Sequence, residues 1–313
     1  MRGRFAPSPT GEIHLGNAWT ALLAWLQVRS AGGVMVLRME DLDPARSRPV
    51  YADRLLADMK WLGLDWDEGP DVGGPCAPYS QQARRHLYQA ALEQLTAAGL
   101  VYPCTCTRAE LAASAPHAGE HERIYPGTCR GRQPAAAGKG ARQPSLRLAV
   151  PPGATAFTDL LAGVVSQDIS RAAGDFVIRR SDGVHAYQLA VVVDDAAMGI
   201  THVLRGYDLL NSTPRQLLLY RLLGRPAPVF THVPLLVAPD GHRLSKRQQD
   251  LAIAALRAQG VRAEAIIGYL AYKAGLLDRP EPVRAAELIT GFSVNKLRTA
   301  PVVVESREIG NNF

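Results

Sequence analysis

Cysteine is scarce: four residues in a chain of 313 cannot build a disulfide framework, so the fold must be held by its own core. No apolar run reaches membrane-spanning length, and the opening MRGRFAPSPTG lacks the apolar segment of a secretory leader. A cytoplasmic chain with no membrane partner is therefore expected. Lysine is nearly as rare. Only Lys60, Lys139, Lys246, Lys273 and Lys296 occur among 35 basic residues, the rest being arginine, and the formal net charge is +6. Part of this bias follows a composition also rich in Ala, Gly and Pro. An arginine excess still favours polyanions or carboxylates as partners, because the guanidinium fork pairs two oxygens at once. Hydrophobic residues at 47% and charged residues at 20% describe ordinary globular material, enough for one large or two modest domains.

Residues 2–6 read as a short extended segment, broken by Pro7, Pro9 and Gly11. From His14, the apolar Leu15, Trp19, Leu22, Leu23 and Leu26 recur at helical spacing until Gly32-Gly33. Val34–Met39 reads as a buried strand, a helix lies between Pro49 and Gly63, and another runs from Ser80, as N-cap, to Gly99. This alternation predicts an α/β fold with a parallel sheet. Residues 101–150 interrupt it with three of the four cysteines. No acidic residue falls between Glu122 and Asp159, whereas Arg123, Arg130, Arg132, Lys139, Arg142 and Arg147 all do. An inserted module with a basic loop at 130–147 is expected, the loop being either a solvated linker or a nucleic-acid contact. The α/β pattern is expected to resume at Phe176–Arg179, with strands at Ala186–Val193, Val203–Leu204 and Val229–Val237 and a helix over 208–223. Beyond Pro239-Asp240-Gly241 the chain reads as mostly helical, through Leu251–Ala258, Ala263–Ala274 and Val283–Ile289.

Two constellations carry chemistry. Pro7-Ser8-Pro9-Thr10-Gly11-Glu12-Ile13-His14-Leu15-Gly16-Asn17 puts a histidine at the first turn of a helix leaving a sheet. Unpaired backbone N–H groups and the positive dipole end favour an anion there. An imidazole N–H adds a donor, and Gly16 lets a flat group lie close to the backbone. The plain alternative is a histidine that merely caps the helix. The second is Arg243-Leu244-Ser245-Lys246-Arg247. Its three cations repel one another unless an anion or solvent shares the site. A loop lysine suits charge developing on a transferring phosphate, because its ammonium is compact and mobile. Either motif alone is weak; the pair, in this order and flanking an α/β pattern, is not.

Together they resemble the paired signatures of class I aminoacyl-tRNA synthetases, and the chain is most similar to the glutamyl branch. Arg4-Phe5-Ala6-Pro7-Ser8-Pro9-Thr10-Gly11 resembles that branch's opening and Arg38-Met39-Glu40-Asp41-Leu42-Asp43 its second strand end. The stretch from Tyr187 through Val191-Val192-Val193-Asp194-Asp195 to Thr201-His202-Val203-Leu204-Arg205-Gly206 is also similar. Only residues 248–313 follow the second motif, too few for the large anticodon-binding region of discriminating glutamyl-tRNA synthetases. Asp208-Leu209-Leu210-Asn211-Ser212-Thr213-Pro214-Arg215-Gln216 looks more like their short paralogues. Those paralogues, the glutamyl-Q tRNA(Asp) synthetases, activate glutamate with ATP and attach it to queuosine in the anticodon of tRNA(Asp).

The resemblance implies a Rossmann-like catalytic domain over 1–237, interrupted at about 101–170 by a zinc-binding insertion. It implies a KMSKS-like loop and helical region over 238–313, with no anticodon-binding domain. It implies a glutamate site of Arg4, Phe5, Ala6, Pro7, Ser8, Glu40, Tyr187 and Arg205. His14, Gly16, Asn17, Ser245 and Lys246 would bind ATP. His14 and Lys246 would be catalytic, the first on the phosphates and the second on the pyrophosphate that leaves with magnesium. The residue types suit glutamate independently: its two carboxylates and one ammonium need two cationic forks and one anion, which Arg4, Arg205 and Glu40 supply beside strand ends. Which arginine takes the side-chain carboxylate is open. Arg4 as a surface charge and Tyr187 as a core aromatic are the plain alternatives.

Cys104, Cys106 and Cys129 offer three thiolates where zinc takes four ligands. The family's fourth ligand is a tyrosine, at the position matching Tyr125; His117 and His121 are chemically more ordinary competitors. One structural zinc is expected, while Cys76 stands apart in a Gly/Pro loop. Three readings compete. The first is a monomeric short enzyme acting on ATP, L-glutamate and queuosine-containing tRNA(Asp). The second is a truncated glutamyl-tRNA synthetase charging a tRNA 3′ end, and the third a non-catalytic RNA-binding paralogue. The intact His14, Asn17, Lys246, Arg4, Arg205 and Glu40 argue against the third, and the short C-terminal region against the second.

Overall fold

The computed structural model describes residues 1–107, 110, 124–132, 143–242 and 251–305. Strand β1 (Arg2–Phe5) feeds helix α1 (Leu15–Ser30), which returns to β2 (Val34–Leu37); α2 (Pro49–Trp61) and α3 (Arg85–Ala97) follow. The next elements are β3 (Val101–Cys104), β4 (Ser145–Leu148), β5 (Ala154–Asp159), β6 (Gly163–Asp168), a single turn α4 (Ile169–Ala172) and β7 (Phe176–Arg179). The chain continues through α5 (Tyr187–Ala197), β8 (His202–Gly206), α6 (Thr213–Leu222), β9 (Val229–Val233) and β10 (Leu236–Val237). It closes with α7 (Ile253–Ala258), α8 (Ala263–Ala274) and β11 (Val302–Val303).

The frame is a parallel sheet in the order β2-β1-β8-β9, with Arg4 opposite Val36 and Arg205 opposite His232. Alternate residues face opposite layers. Met35, Leu37 and Leu204 join the cluster around α1, whereas Val36 and Val203 join the cluster around α3, α5 and α6. Both faces are covered, which is why β2, Val-Met-Val-Leu, reads as a continuous apolar run. Helix α1 lies so close that a Cβ on Gly3 would meet Val28 Cγ2 at 2.3 Å.

Several expectations need correction. Ala186–Val193 is not a strand but the start of α5. Leu189, Ala190, Val191 and Val192 are buried in succession, and a short continuous apolar run cannot be told from a strand by periodicity alone. Phe176–Arg179 does not resume the parallel sheet: β7 pairs antiparallel with β4, in a sheet ordered β3-β4-β7 that runs past residue 170. Val229–Val237 is two strands. Pro234 follows β9, and β10 pairs instead with β11. Ser80 caps no helix; its hydroxyl donates to Asp41 Oδ2 at 2.6 Å, and a tight 3-10 turn, Gln82–Arg84, leads into α3. Arg147 is no part of an exposed basic loop: it is buried on β4 and donates to the Asp175 carbonyl at 2.7 Å. Among the described residues, no helix is long and apolar enough to cross a membrane.

Candidate active site

At the C-terminal ends of β1, β2 and β8 the chain leaves a cavity of about 470 Å³. Arg4, Phe5, Ala6, Pro7 and Ser8 line it from the end of β1; Glu40 comes from beyond β2, Tyr187 from the first turn of α5, and Arg205 from β8. His14, Gly16 and Asn17 line the same cavity from the start of α1. A backbone bond from Glu40 N–H to the Pro7 carbonyl, 2.9 Å, ties two of these loops together.

The two arginines are not surface charges, and neither has all its guanidinium nitrogens hydrogen-bonded. Arg4 is 5% exposed and Arg205 4%. Arg4 Nε lies 3.5 Å from Asp195 Oδ2, too long for a good hydrogen bond, and its Nη1 reaches the Leu204 carbonyl at 3.5 Å. Arg205 donates from Nε to His232 Nε2 at 3.0 Å and from Nη2 to Thr213 Oγ1 at 2.7 Å, while its Nη1 has no protein partner. Burial holds Arg205 below the usual guanidinium range, and the neighbouring charge of Arg4 acts in the same direction. Burial likewise pushes Glu40 up, against the pull of Arg38 and Arg4. A ligand with an anionic group for Arg205 and a cation for Glu40 relieves both.

Beneath the cavity lies a network that the sequence reading missed. Arg38, fully buried, donates to Asp195 Oδ1 at 2.6 Å and Glu40 Oε1 at 3.1 Å and lies 3.6 Å from Asp194. Asp194 also accepts from Arg84, Gln81 and Tyr88 at 2.6, 2.9 and 2.8 Å. Arg38 and the Asp194-Asp195 pair stand in the motifs already singled out; nothing in the sequence distinguished support from contact.

His14 both caps and presents. Its Nδ1 accepts from Gly16 N–H at 3.0 Å, and its own N–H donates to Asn17 Oδ1 at 3.1 Å, a reciprocal capping box. An Nδ1 that accepts leaves the proton of the neutral ring on Nε2. Gly16 has a nearer purpose than close approach of a ligand: a Cβ there would meet His14 Cε1 at 2.9 Å. Ser245 and Lys246 lie outside the described residues, as do His117 and His121. The chain re-enters beside the first motif, where Ala252 bridges to His14 and Ile253 N–H donates to the Ile13 carbonyl at 3.0 Å.

A second cluster sits in the insertion. The Sγ atoms of Cys104, Cys106 and Cys129 lie within 4.8 Å of one another and could hold a metal ion. Tyr125 Oη is 3.5 Å from Cys104 Sγ and 3.8 Å from Cys106 Sγ, and accepts the Cys129 N–H at 2.8 Å. Cys106 and Cys129 sulfurs are 3.5 Å apart, close to the ~3.8 Å edge of a tetrahedron with metal–sulfur bonds of about 2.3 Å. Burial raises the Cys129 thiol, but hydrogen bonding from Tyr125 and the neighbouring sulfurs outweighs it and brings it down to about 6, whereas burial and Cys129 push Cys106 up to about 11. The Arg147 guanidinium lies 3.7 Å over the Tyr125 ring.

Sequence comparisons agree with this geometry. The family described as tRNA synthetases class I (E and Q), catalytic domain, matches residues 1–310. The glutamyl-Q tRNA(Asp) synthetase of Symbiobacterium thermophilum is 56% identical, over 98% of this chain and 97% of its own. That of Nitratidesulfovibrio vulgaris is 54% identical, over 97% and 95%. A crystal structure of a glutamate tRNA ligase from Elizabethkingia meningosepticum, in complex with its amino acid, superimposes with a TM-score of 0.85 at 30% identity; it covers 98% of this chain and 68% of that one. The chain belongs to the class I tRNA synthetases of the glutamyl and glutaminyl kind.

Proposed function

We propose that this chain activates L-glutamate with ATP, without needing tRNA, and transfers the glutamyl group to the queuosine of tRNA(Asp). The observation that carries the reading is the convergence of two buried, incompletely paired guanidiniums and one acid on a cavity whose other wall is a histidine-capped helix start. Arg4 and Arg205 take the two carboxylates of glutamate, and Glu40 takes its ammonium; Phe5, Ala6, Pro7, Ser8 and Tyr187 complete the pocket. The dipole end of α1, Nε2–H of His14 and the NH2 group of Asn17 face the nucleotide, with Gly16 keeping the cap intact. Lys246, helped by Ser245, stabilises the leaving pyrophosphate, which departs with magnesium.

Chemistry then needs positioning more than a protein nucleophile. An α-carboxylate oxygen attacks the α-phosphorus in line, the bond to the β,γ-phosphates breaks, and a queuosine hydroxyl later displaces AMP from the acyl carbon. The catalytic domain spans 1–237 around the insertion, and the KMSKS-like loop and helical region occupy 238–313. The enzyme is taken to be a cytoplasmic monomer.

Purified protein should exchange labelled pyrophosphate into ATP when given glutamate alone. Label from glutamate should enter queuosine-containing tRNA(Asp) and not tRNA(Glu). No exchange removes the enzyme reading; label in tRNA(Glu) instead restores 3′-end charging.

The insertion's donor set suits one zinc on Cys104, Cys106, Cys129 and Tyr125, which would pin β3 to the loop before β4. Metal analysis should find one zinc per chain, lost in Cys104→Ser. Tyr125→Phe should weaken zinc binding by more than about tenfold in competition with a chromophoric chelator. Undiminished affinity in that variant would move the fourth ligand to His117 or His121.

A further inference from the structure

We propose that Asp159, His232 and Thr213 form a positioning relay that fixes the Arg205 guanidinium for its carboxylate, so that a strand of the insertion takes part in amino-acid recognition. The inference rests on the reading of Arg205 as a glutamate contact and deepens it.

Arg205 and His232 stand opposite one another on β8 and β9. Asp159 ends β5, and the next residue, Leu160, donates its N–H to the Phe230 carbonyl at 3.0 Å, holding that end against β9. Asp159, His232 and Thr213 are each no more than 1% exposed. The Asp159 carboxylate accepts backbone N–H groups of Leu161, Ala162 and His232 at 3.0, 2.8 and 3.1 Å, and contacts His232 Nδ1 at 2.7 Å. Burial raises Asp159, but these hydrogen bonds outweigh it and keep it ionised. An ionised carboxylate only accepts, so Nδ1 carries the proton and Nε2 must be an acceptor. It receives Arg205 Nε–H at 3.0 Å, and Thr213 Oγ1, 3.1 Å from Nε2, accepts Arg205 Nη2–H at 2.7 Å.

The consequence is geometric. Two of the three guanidinium nitrogens are held from behind, and Phe230 supports the group 5.1 Å below Cζ, with its ring stacked on that of His232. Only Nη1 is left without a protein partner. A carboxylate placed directly against Arg205 would orient it too, but would occupy the fork that a substrate needs. A neutral imidazole relays the influence of Asp159 while leaving the cation unsatisfied. Protonated His232 could not do this, since its Nε2–H would oppose Arg205 Nε–H, and burial keeps the ring neutral.

Asparagine and glutamine at position 232 separate the two halves of the relay. Gln reaches the Nε2 position with an acceptor oxygen, whereas Asn keeps a donor for Asp159 and leaves Arg205 Nε unheld. In glutamate-dependent pyrophosphate exchange, His232→Asn should raise the KM for glutamate about tenfold to a hundredfold, as loss of a hydrogen bond to a charged group does, with the KM for ATP unchanged. His232→Gln should stay within about threefold of wild type. A merely structural histidine would instead shift both KM values, and both variants, alike; that outcome, or an unchanged glutamate KM in folded His232→Asn, overturns the relay. Should His232→Asn not fold, Thr213→Val decides, because it removes the Nη2 acceptor, with the hydroxyl's contacts to His232 Nε2 and the Leu209 carbonyl, at nearly constant volume. A raised glutamate KM supports the relay and an unchanged one overturns it. Failure of the wild-type protein to exchange with glutamate would overturn the functional reading itself, a result separable from any of these.

Discussion

Arg38→Met should unfold about 3–5 kcal/mol more easily than wild type at neutral pH, the largest stability loss expected of any single substitution near the cavity. The side chain is fully buried, and its charge stays because three carboxylates surround it. Burial alone would lower its pKa, but Asp195, Asp194 and Glu40 together carry it well above the usual guanidinium range. Methionine fills much of the volume and removes the charge. Asp194 keeps Arg84, Gln81 and Tyr88, but Asp195 is left with Arg4 at 3.5 Å, and Glu40 loses the nitrogen 3.1 Å away. Glu40 already sits above the usual carboxylate range through burial, and Arg38 is the strongest influence opposing that rise. Without it the carboxyl climbs further. A carboxyl whose folded pKa exceeds its unfolded value binds more protons in the folded state, so stability falls as pH rises between the two. The deficit of Arg38→Met should therefore shrink when urea titrations followed by circular dichroism are moved from pH 7.5 toward pH 5. A loss under about 1 kcal/mol, or one that ignores pH, would show that the network is not what holds this end of the sheet.

What could be read beforehand divides along a physical line. Several residues that line the cavity sit in short, ordered motifs, because backbone geometry at a strand end or helix start dictates them locally. Arg4, His14, Gly16 and Glu40 are legible on that basis, Phe5 through Ser8 and the role of Asn17 only through the family resemblance, and all line one cavity. The supporting residues are fixed by pairings far apart in sequence. His232 meets Arg205 only through the register of β8 on β9, and Asp159 arrives from a hairpin of the insertion. No local pattern announces such a meeting. Helix α5 differs from its expected strand for a related reason: the unbroken apolar run Leu189–Val193 fits either element, and only its tertiary setting decides between them. The parallel sheet was legible from alternation, whereas the membership of β7 in the insertion depends on a long-range partner, Leu148 opposite Phe176. The parts that repeat nearest-neighbour chemistry could be read; those set by tertiary register could not.

Arg205→Met should behave oppositely to Arg38→Met in the same urea titration, losing less than about 1 kcal/mol or gaining stability, while nearly abolishing glutamate activation. The two guanidiniums are buried to a similar depth, but the fold treats them differently. Arg38 is held above the usual range by three acids; Arg205 is held below it, chiefly by burial and further by Arg4. A group whose charge the folded state disfavours stabilises the protein when the charge is removed, less the bonds it makes to His232 and Thr213. Its retention makes physical sense if the missing counter-charge is the substrate. Truncating one partner of a desolvated, hydrogen-bonded charge pair loses about 2–5 kcal/mol of binding, so kcat/KM for glutamate in pyrophosphate exchange should fall roughly thirtyfold to several-thousandfold. Repeating the measurement with glutamine in place of glutamate separates the two forks. The arginine that faces the side-chain carboxylate should, when changed to Met, erase most of the preference for glutamate over glutamine. The one that faces the α-carboxylate should depress both amino acids equally, and Arg4→Met serves as the second arm. A variant of either arginine that stays folded and activates glutamate at the wild-type rate would leave the cavity without its defining charges. The proposed substrate would fall with them.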